Sequence, residues 1–411
     1  MASEFKKGGK VVFAALLATA CGASPIPFNV LPLVMGPIHD EFGWDYTQIS
    51  AATLMWGVLG AMLAPVYGGF CDRFGVRRVG ILSMLAFIVV FASFYFVPDW
   101  LPGWYMWWAA LGLVAIGSTP VTWSRAVAMW FDRHRGLALG IMLLGTSATA
   151  MFVPHFVNFA INLGGWRAAF PAATVFALFL AMPFILAWFR EPRPEERPAT
   201  LEQAADGDVA GLSLRQAMHG RQFWILLVST LLISFSYGGA HIHMAQMVEL
   251  HGFTAGDAAT VMSCVALGIL TGRLGIGYLF DRFWAPGVAF PAMLLPAIAC
   301  YLLMGTSTSF PLILLGGFLI GVAAGTETDI VAFMTARYFG LRHYGRIYGF
   351  LYAPFGIGSA ISPMLYGYVR DTTGSYDLML TVAIVLFAIG GAGLLALGRY
   401  PGREQLSRRD V

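Results

Sequence analysis

The sequence predicts an all-α membrane protein with twelve transmembrane helices in two pseudo-symmetric six-helix halves. Three observations lead there. First, 58% of the 411 residues are hydrophobic and only 11% are charged. A water-dispersed domain carries roughly 25% charged residues, so this surface must face lipid. Second, the chain holds twelve stretches of the about 20 mostly apolar residues needed to cross a hydrocarbon core. Third, motifs of the first half recur in the second at an interval of about 209 residues. Period-two alternation is absent, which excludes a β-barrel.

In order, the spans read as 11–35, 48–70, 79–97, 104–130, 137–160, 167–189, 222–247, 257–280, 286–305, 310–337, 345–369 and 377–398. Lys6, Lys7 and Lys10 give the start the positive flank of a signal peptide. The apolar run behind them is too long for one, and no small-residue cleavage site leads into a soluble domain. It is expected to remain as span one. Within it, "GASPIPFNVLPLVMG" carries three prolines and Asn29, the pattern of a bent helix with freed carbonyls. The four cysteines, Cys21, Cys71, Cys264 and Cys300, have neither disulfide-framework nor metal-ligand spacing. No Walker motif and no nucleophile–base set stands out. The expectation is therefore no metal, no cofactor, no nucleic-acid partner and no enzyme.

Basic residues orient the spans. The N-terminus, the loops leaving even-numbered spans and the C-terminal tail hold 21 of the 25. The opposite loops hold only Arg167 and Arg370, against eight acids. Both termini are expected in the cytoplasm. Two basic residues remain inside spans, Arg125 and Arg273, and so do two acids, Glu327 and Asp329.

The internal repeat sets the domain boundaries. "GGFCDRFGVRR" follows span two and "GYLFDRFWAPG" follows span eight, so that Gly68, Asp72 and Arg73 fall on Gly277, Asp281 and Arg282. Gly140 falls on Gly349 and Pro154 on Pro363, and the ends of spans four and ten correspond at an offset of 208. The halves are 1–189 and 222–398. A linker at 190–221, rich in Pro, Glu and Arg, is expected to form a cytoplasmic loop with one short surface helix. Residues 399–411 form a cytoplasmic tail. Paired six-helix halves holding substrate near the midplane are a secondary-transporter architecture.

The turn "GGFCDRFGVRR" resembles the cytoplasmic signature of the major facilitator superfamily, and the resemblance spans the whole chain. It implies gating roles for Gly68, Asp72, Arg73 and Arg77, and for Asp281 and Arg282 in the second copy. Physically, an aspartate there accepts backbone N–H groups at a helix end while arginines bridge to neighbouring loops. In the second copy the basic cluster is degraded to "FWAPG". Three stretches are similar to the bacterial monocarboxylate and oxalate/formate exchanger branch: "WFDRHRGLALGI", "GILTGRLGIGYLFDR" and "GTETDIVAFMTARYFGLRHYGRIYG". That resemblance implies that Arg273, in span eight, pairs with a substrate carboxylate. Two departures matter. Animal-type proton-coupled members carry an aspartate one turn before this arginine, where this chain has Ile269. Oxalate exchangers carry a lysine in span eleven, and "RIYGFLYAPFGIGSAISPMLYGYV" has none.

Arg273 lies roughly two turns inside the end marked by Asp281, too deep to snorkel easily. An ionised arginine there costs several kcal/mol unless paired or wetted. Its planar fork suits a carboxylate, and the alternative is an ion pair with Glu327 or Asp329. Arg125 is nearer the edge, where snorkelling competes with substrate contact. Glu327 and Asp329 point about 200° apart, so one is expected to face the pathway and the other a neighbouring helix. The repeat sets Arg125 on Phe333 and favours Asp329 as the proton-coupling acid, with Glu327 second. Tyr237, in span seven, is a candidate hydrogen-bond donor to the carboxylate and equally a packing residue. His241 and His243 face different ways, against a metal site; His243 is either a titrating group or a hydrogen-bonded structural one.

The expected function is secondary transport of small organic anions, foremost monocarboxylates, by alternating access with proton symport or anion exchange. The functional unit is expected to be a monomer in a bacterial-type inner membrane. Its partners are a small carboxylate, protons or a counter-anion, and the lipid bilayer. Two rivals stand beside it. Efflux of hydrophobic or cationic compounds suits a cavity with acids and no arginines. A non-transporting sensor needs an added signalling domain, and "GRYPGREQLSRRDV" is too short to be one.

Overall fold

The computed structural model describes residues 2–131, 135–193, 196, 211–305, 309–340 and 344–401. The chain forms two compact units, one of residues 1–206 with 255–263 and the other of 207–254 with 264–411. Among the described residues nine helices are long and apolar enough to cross a membrane. The remaining three spans of the twelve are the helices Tyr46–Phe74 and Tyr344–Thr373 and a broken fourth span.

In the first unit, span one is α1 (Ala2–Ala20) and α2 (Pro25–Phe42). The predicted bend is a break at residues 21–24, where Pro25 at the start of α2 has no N–H to give to the preceding turn. Spans two and three are α3 (Tyr46–Phe74) and α4 (Val76–Ser93), turning at Gly75, whose φ of 85° suits glycine. Span four is α5 (Leu101–Val114) and α6 (Pro120–Trp130), interrupted by the 3₁₀ turn Ile116–Ser118. The two breaks meet. The Ser118 hydroxyl accepts from the Ala23 N–H at 3.2 Å, and a Cβ on Gly22 would overlap the Ser118 carbonyl. Span five is α7 (Arg135–Gly164), and span six runs through α8 (Ala169–Val175), a π-helical turn (Phe176–Ala181) and α9 (Met182–Trp188). A buried aromatic cluster of Phe91, Phe94, Trp104, Trp108 and Phe170 joins α4, α5 and α8. The Trp104 indole N–H is satisfied by the Ile49 carbonyl at 3.0 Å.

The second unit opens with the expected short helix, α10 (Leu214–His219), whose start is fixed by a Ser213–Gln216 capping box. Span seven is α11 (Arg221–Ile242), a break at His243, and α12 (Met244–Leu250). Spans eight to twelve are α13 (Ala255–Arg282), α14 (Ala285–Leu302), α15 (Phe310–Phe339), α16 (Tyr344–Thr373) and α17 (Asp377–Leu395). The first nine residues of α13 belong to the first unit. There the Ser263 hydroxyl donates to the Met151 carbonyl at 2.8 Å and lies 2.9 Å from His155 Nε2.

One contact in the second unit positions everything that follows. Gly268 and Gly272 on α13 face Gly321 and Gly325 on α15, so G-x-x-x-G meets G-x-x-x-G. A Cβ on Gly268 would lie 2.9 Å from the Cα of Gly321, and one on Gly325 would lie 3.0 Å from the Arg273 backbone nitrogen. In lipid, helices gain no hydrophobic energy from associating, so close backbone approach supplies van der Waals contact instead. Gly268→Val is expected to cost about 1–3 kcal/mol by overpacking. Gly275→Val, where no atom lies within 4 Å of an added Cβ, should be tolerated. Thermal melting of the detergent-solubilised variants tests this, and equal melting of the two would mean the seam can open at no cost.

Candidate functional site

Arg273 directly follows Gly272, and Glu327 stands two residues beyond Gly325. The glycine seam therefore sets the backbones carrying the two charges side by side. Arg273 lies nine residues before the end of α13, roughly 13 Å along the axis at the usual helical rise. It is partly buried. Glu327, near the middle of α15, is 1% exposed. Neither of its carboxyl oxygens accepts a hydrogen bond among the described residues. A carboxylate buried in that state is expensive unless it is protonated or balanced by a neighbouring charge.

Two tyrosines lie within electrostatic range of these charges. Tyr352 on α16 interacts electrostatically with both Glu327 and Arg273, and Tyr237 on α11 with Glu327. Tyr237 shares a hydrogen bond of 3.2 Å with His241 Nδ1, their rings 5.3 Å apart. Close crossing of α11 and α16 brings these rings in: a Cβ on Gly238 would lie 2.6 Å from the Ser359 Cα. The arrangement offers one cation, one acid and two phenols, with no grouping of His, Cys, Asp or Glu fit for a metal among the described residues.

The other candidates distribute as follows. The Asp329 side chain lies outside the described residues, as do those of Asp72 and Asp281. His243 has a different environment from Tyr237. Its Nε2–H donates to the Pro363 carbonyl at 2.8 Å, so Nδ1 accepts from the Tyr376 hydroxyl at 2.9 Å. Its ring also stacks on Tyr366. In the first unit, Asn29 is buried, its Nδ2 donating to the Pro25 carbonyl at 2.8 Å across the start of α2. Arg125 is exposed on α6.

Around the signature turn, Arg77 donates to the Leu186 carbonyl at 2.6 Å, and the Arg73 guanidinium covers the Phe74 ring at 5.3 Å. The Arg282 guanidinium covers Tyr278 at 4.2 Å. The Val76 N–H, at the positive N-terminal end of α4, donates to Glu191. Sequence reading assigned that kind of role to Asp72 and passed over Glu191, although an acid just after span six, in "REPRPEERP", is the available signal. Further along the same stretch, Arg190 holds Glu196 at 2.5 and 2.7 Å, and this bidentate hydrogen bond pulls the Glu196 carboxyl down to about 2.

Sequence reading also missed Tyr352 and the seam. The seam had a signal in "GILTG" and "GVAAG". Tyr352 had none, because its approach to the charges depends on how α16 packs. The offset of 208 between spans four and ten sets Gly117 on Gly325 and Thr119 on Glu327. Where the first unit breaks its helix, the second keeps α15 continuous and plants an acid.

The sequence pattern of the Major Facilitator Superfamily matches residues 12–304. Human monocarboxylate transporter 11 is 25% identical over 373 residues, covering 84% of this chain and 74% of its own. An uncharacterized MFS-type transporter of Bacillus subtilis, YcxA, is 22% identical over 371 residues and covers 88% of both chains. Among solved structures, a bacterial homologue of the human lysosomal transporter Spinster, inward-facing and unoccupied, superposes with a TM-score of 0.69. It covers 96% of this chain and 99% of that one at 16% identity, a likeness of fold alone.

Proposed function

The chain belongs to the Major Facilitator Superfamily of membrane transporters, and from that premise we propose that it carries small monocarboxylates by alternating access, coupled to protons. One observation supports this reading above the others: Arg273 and the buried Glu327 sit on the glycine seam, with Tyr352 in electrostatic range of both and Tyr237 in range of Glu327. A guanidinium in a lipid-embedded bundle is costly unless it has an anion to bind, and its fork matches a carboxylate in two parallel hydrogen bonds. Tyr237 and Tyr352 have hydroxyls to donate. A carrier of hydrophobic cations has no use for Arg273 in this position.

Arg125 and Asn29, in the first unit, are proposed as further substrate contacts. Asp329 and His243 stay behind Glu327 as proton-coupling candidates. Asp72, Arg73, Arg77 and Gly68, with Asp281 and Arg282, are the proposed cytoplasmic gate, in a bacterial-type inner membrane with both termini inside. The test is a thermal-shift screen of purified protein against mono-, di- and tricarboxylates and hydrophobic cations. Monocarboxylates should raise the melting temperature in a saturable way, because a ligand that binds only the folded state stabilises it by mass action. Stabilisation by cations alone would overturn the reading.

A further inference from the structure

We propose that the second unit carries a binding site for an anionic phospholipid, where the turn between spans eight and nine meets the chain leaving span twelve. Phe283 and Trp284 occupy that turn, and Gly398, Arg399 and Tyr400 follow α17. Together they wall a recess of about 550 Å³. Gly398, with a φ of 73°, bends the chain back across the turn, a conformation that glycine adopts without strain. Three hydrogen bonds hold the walls. The Trp284 indole N–H and the Tyr338 hydroxyl donate to the Gly398 carbonyl at 3.2 and 2.5 Å. The Ala285 N–H donates to the Tyr400 hydroxyl at 2.9 Å.

With the indole N–H and the carbonyl paired to protein, the recess offers mainly ring surface and one charge. Phe283 is 61% exposed and Trp284 39%, and Arg399 is exposed beside them. A second cation stands by Tyr400: the Arg337 guanidinium lies 5.6 Å from that ring. No aspartate or glutamate lines the recess among the described residues. Span eight ends here and span nine begins, so the recess lies at the membrane–water boundary, the depth that amphipathic Trp and Tyr rings favour. Those features select an amphiphile. The phosphodiester of an anionic lipid meets Arg399, while its glycerol and upper acyl carbons lie along Phe283 and Trp284. A zwitterionic lipid of the same shape brings its own ammonium towards two arginines. A small soluble anion finds the charge and leaves the rings uncovered.

The experiment measures dissociation constants of short-chain lipids on the full-length protein purified in detergent. Dihexanoyl phosphatidylglycerol is the probe. It is compared with dihexanoyl phosphatidylcholine and with glycerophosphoglycerol, the same headgroup without chains. Phosphatidylglycerol is expected to bind tightest, and to weaken about 5-fold in Arg399→Gln, the worth of one arginine at a charged lipid surface. Arg399→Lys should keep most of that binding, and Arg337→Gln serves where Arg399→Gln does not fold. Arg215→Gln, which removes an exposed arginine on α10, should change nothing. Phosphatidylcholine binding as tightly as phosphatidylglycerol overturns the proposal. So does phosphatidylglycerol binding that is indifferent to Arg399→Gln, or that falls equally in Arg215→Gln, since the attraction is then diffuse surface charge. Glycerophosphoglycerol binding as tightly as the lipid overturns it too, because the recess would then hold a soluble phosphodiester.

Discussion

Arg273→Ala is expected to abolish monocarboxylate uptake into proteoliposomes, and Arg273→Lys to weaken binding by about 1–3 kcal/mol, roughly 5- to 150-fold. Lysine keeps the charge, so the difference between the variants separates attraction from geometry. The ammonium is a compact, strongly hydrated point charge, whereas the guanidinium presents a planar fork that grips both carboxylate oxygens. The stem of Arg273 starts where α13 is pressed against Gly325, so its origin is set by main chain rather than by mobile packing. A lysine would start from the same point with less reach and no fork. Initial uptake rates over a range of substrate concentrations, in vesicles with matched protein content, measure the effect. Uptake unchanged by both substitutions would remove Arg273 from the site.

Under the proposed mechanism, Glu327→Gln should separate pH-driven accumulation from substrate exchange. Glu327 is buried with no hydrogen bond to its carboxyl oxygens among the described residues, and Tyr352 interacts with both it and Arg273. Before substrate arrives, the arginine can balance the acid. An incoming carboxylate that takes Arg273 leaves the acid without that balance, in a medium where an uncompensated charge costs several kcal/mol. In the proposed mechanism a proton taken up on Glu327 would restore neutrality, so that anion and proton would cross together. Glutamine is the neutral form made permanent. Accumulation driven by a pH gradient should therefore vanish, while exchange of labelled for unlabelled substrate continues. Asp329→Asn is the matched comparison. Should Glu327→Gln accumulate substrate with the parent's pH dependence, the acid serves only as a counter-charge. Anion exchange then becomes the better mechanism.

Much of the fold was legible in the sequence because lipid imposes a simple rule: apolar length makes a span. The short linker helix could be read for an equally local reason, the Ser213–Gln216 capping signal. The breaks were harder. Pro25 announces the one in span one and Pro120 the one in span four, but nothing as strong marks His243 in span seven, where partners outside the helix take part. Ser118 receives the Ala23 N–H, and His243 is held by Pro363 and Tyr376. The repeat, read as symmetry, also hides these differences, since the two units break their helices at non-matching positions. Charge alone singled out Arg125, Arg273, Glu327 and Asp329, and the repeat favoured Asp329 over Glu327 as the proton-coupling acid. Tyr237 was also read as a candidate, but Tyr352 was not legible, because its place depends on the packing of helices distant in sequence.

The glycine seam has a mechanical consequence as well as an energetic one. Where side chains mesh, helices can slip by exchanging rotamers, and each ordered rotamer carries an entropy cost. Gly268, Gly272, Gly321 and Gly325 have no rotamers to exchange. Backbone bears directly on backbone, so α13 and α15 should behave as one lever and not as two neighbouring rods. When Arg273 changes partner, the response cannot be absorbed by a small adjustment of helix spacing at that point. It must go into the torsions of the two charged side chains or into movement of the paired helices together. Loading and displacement would then be joined by a part of the protein that carries no charge and contains no side chain at all.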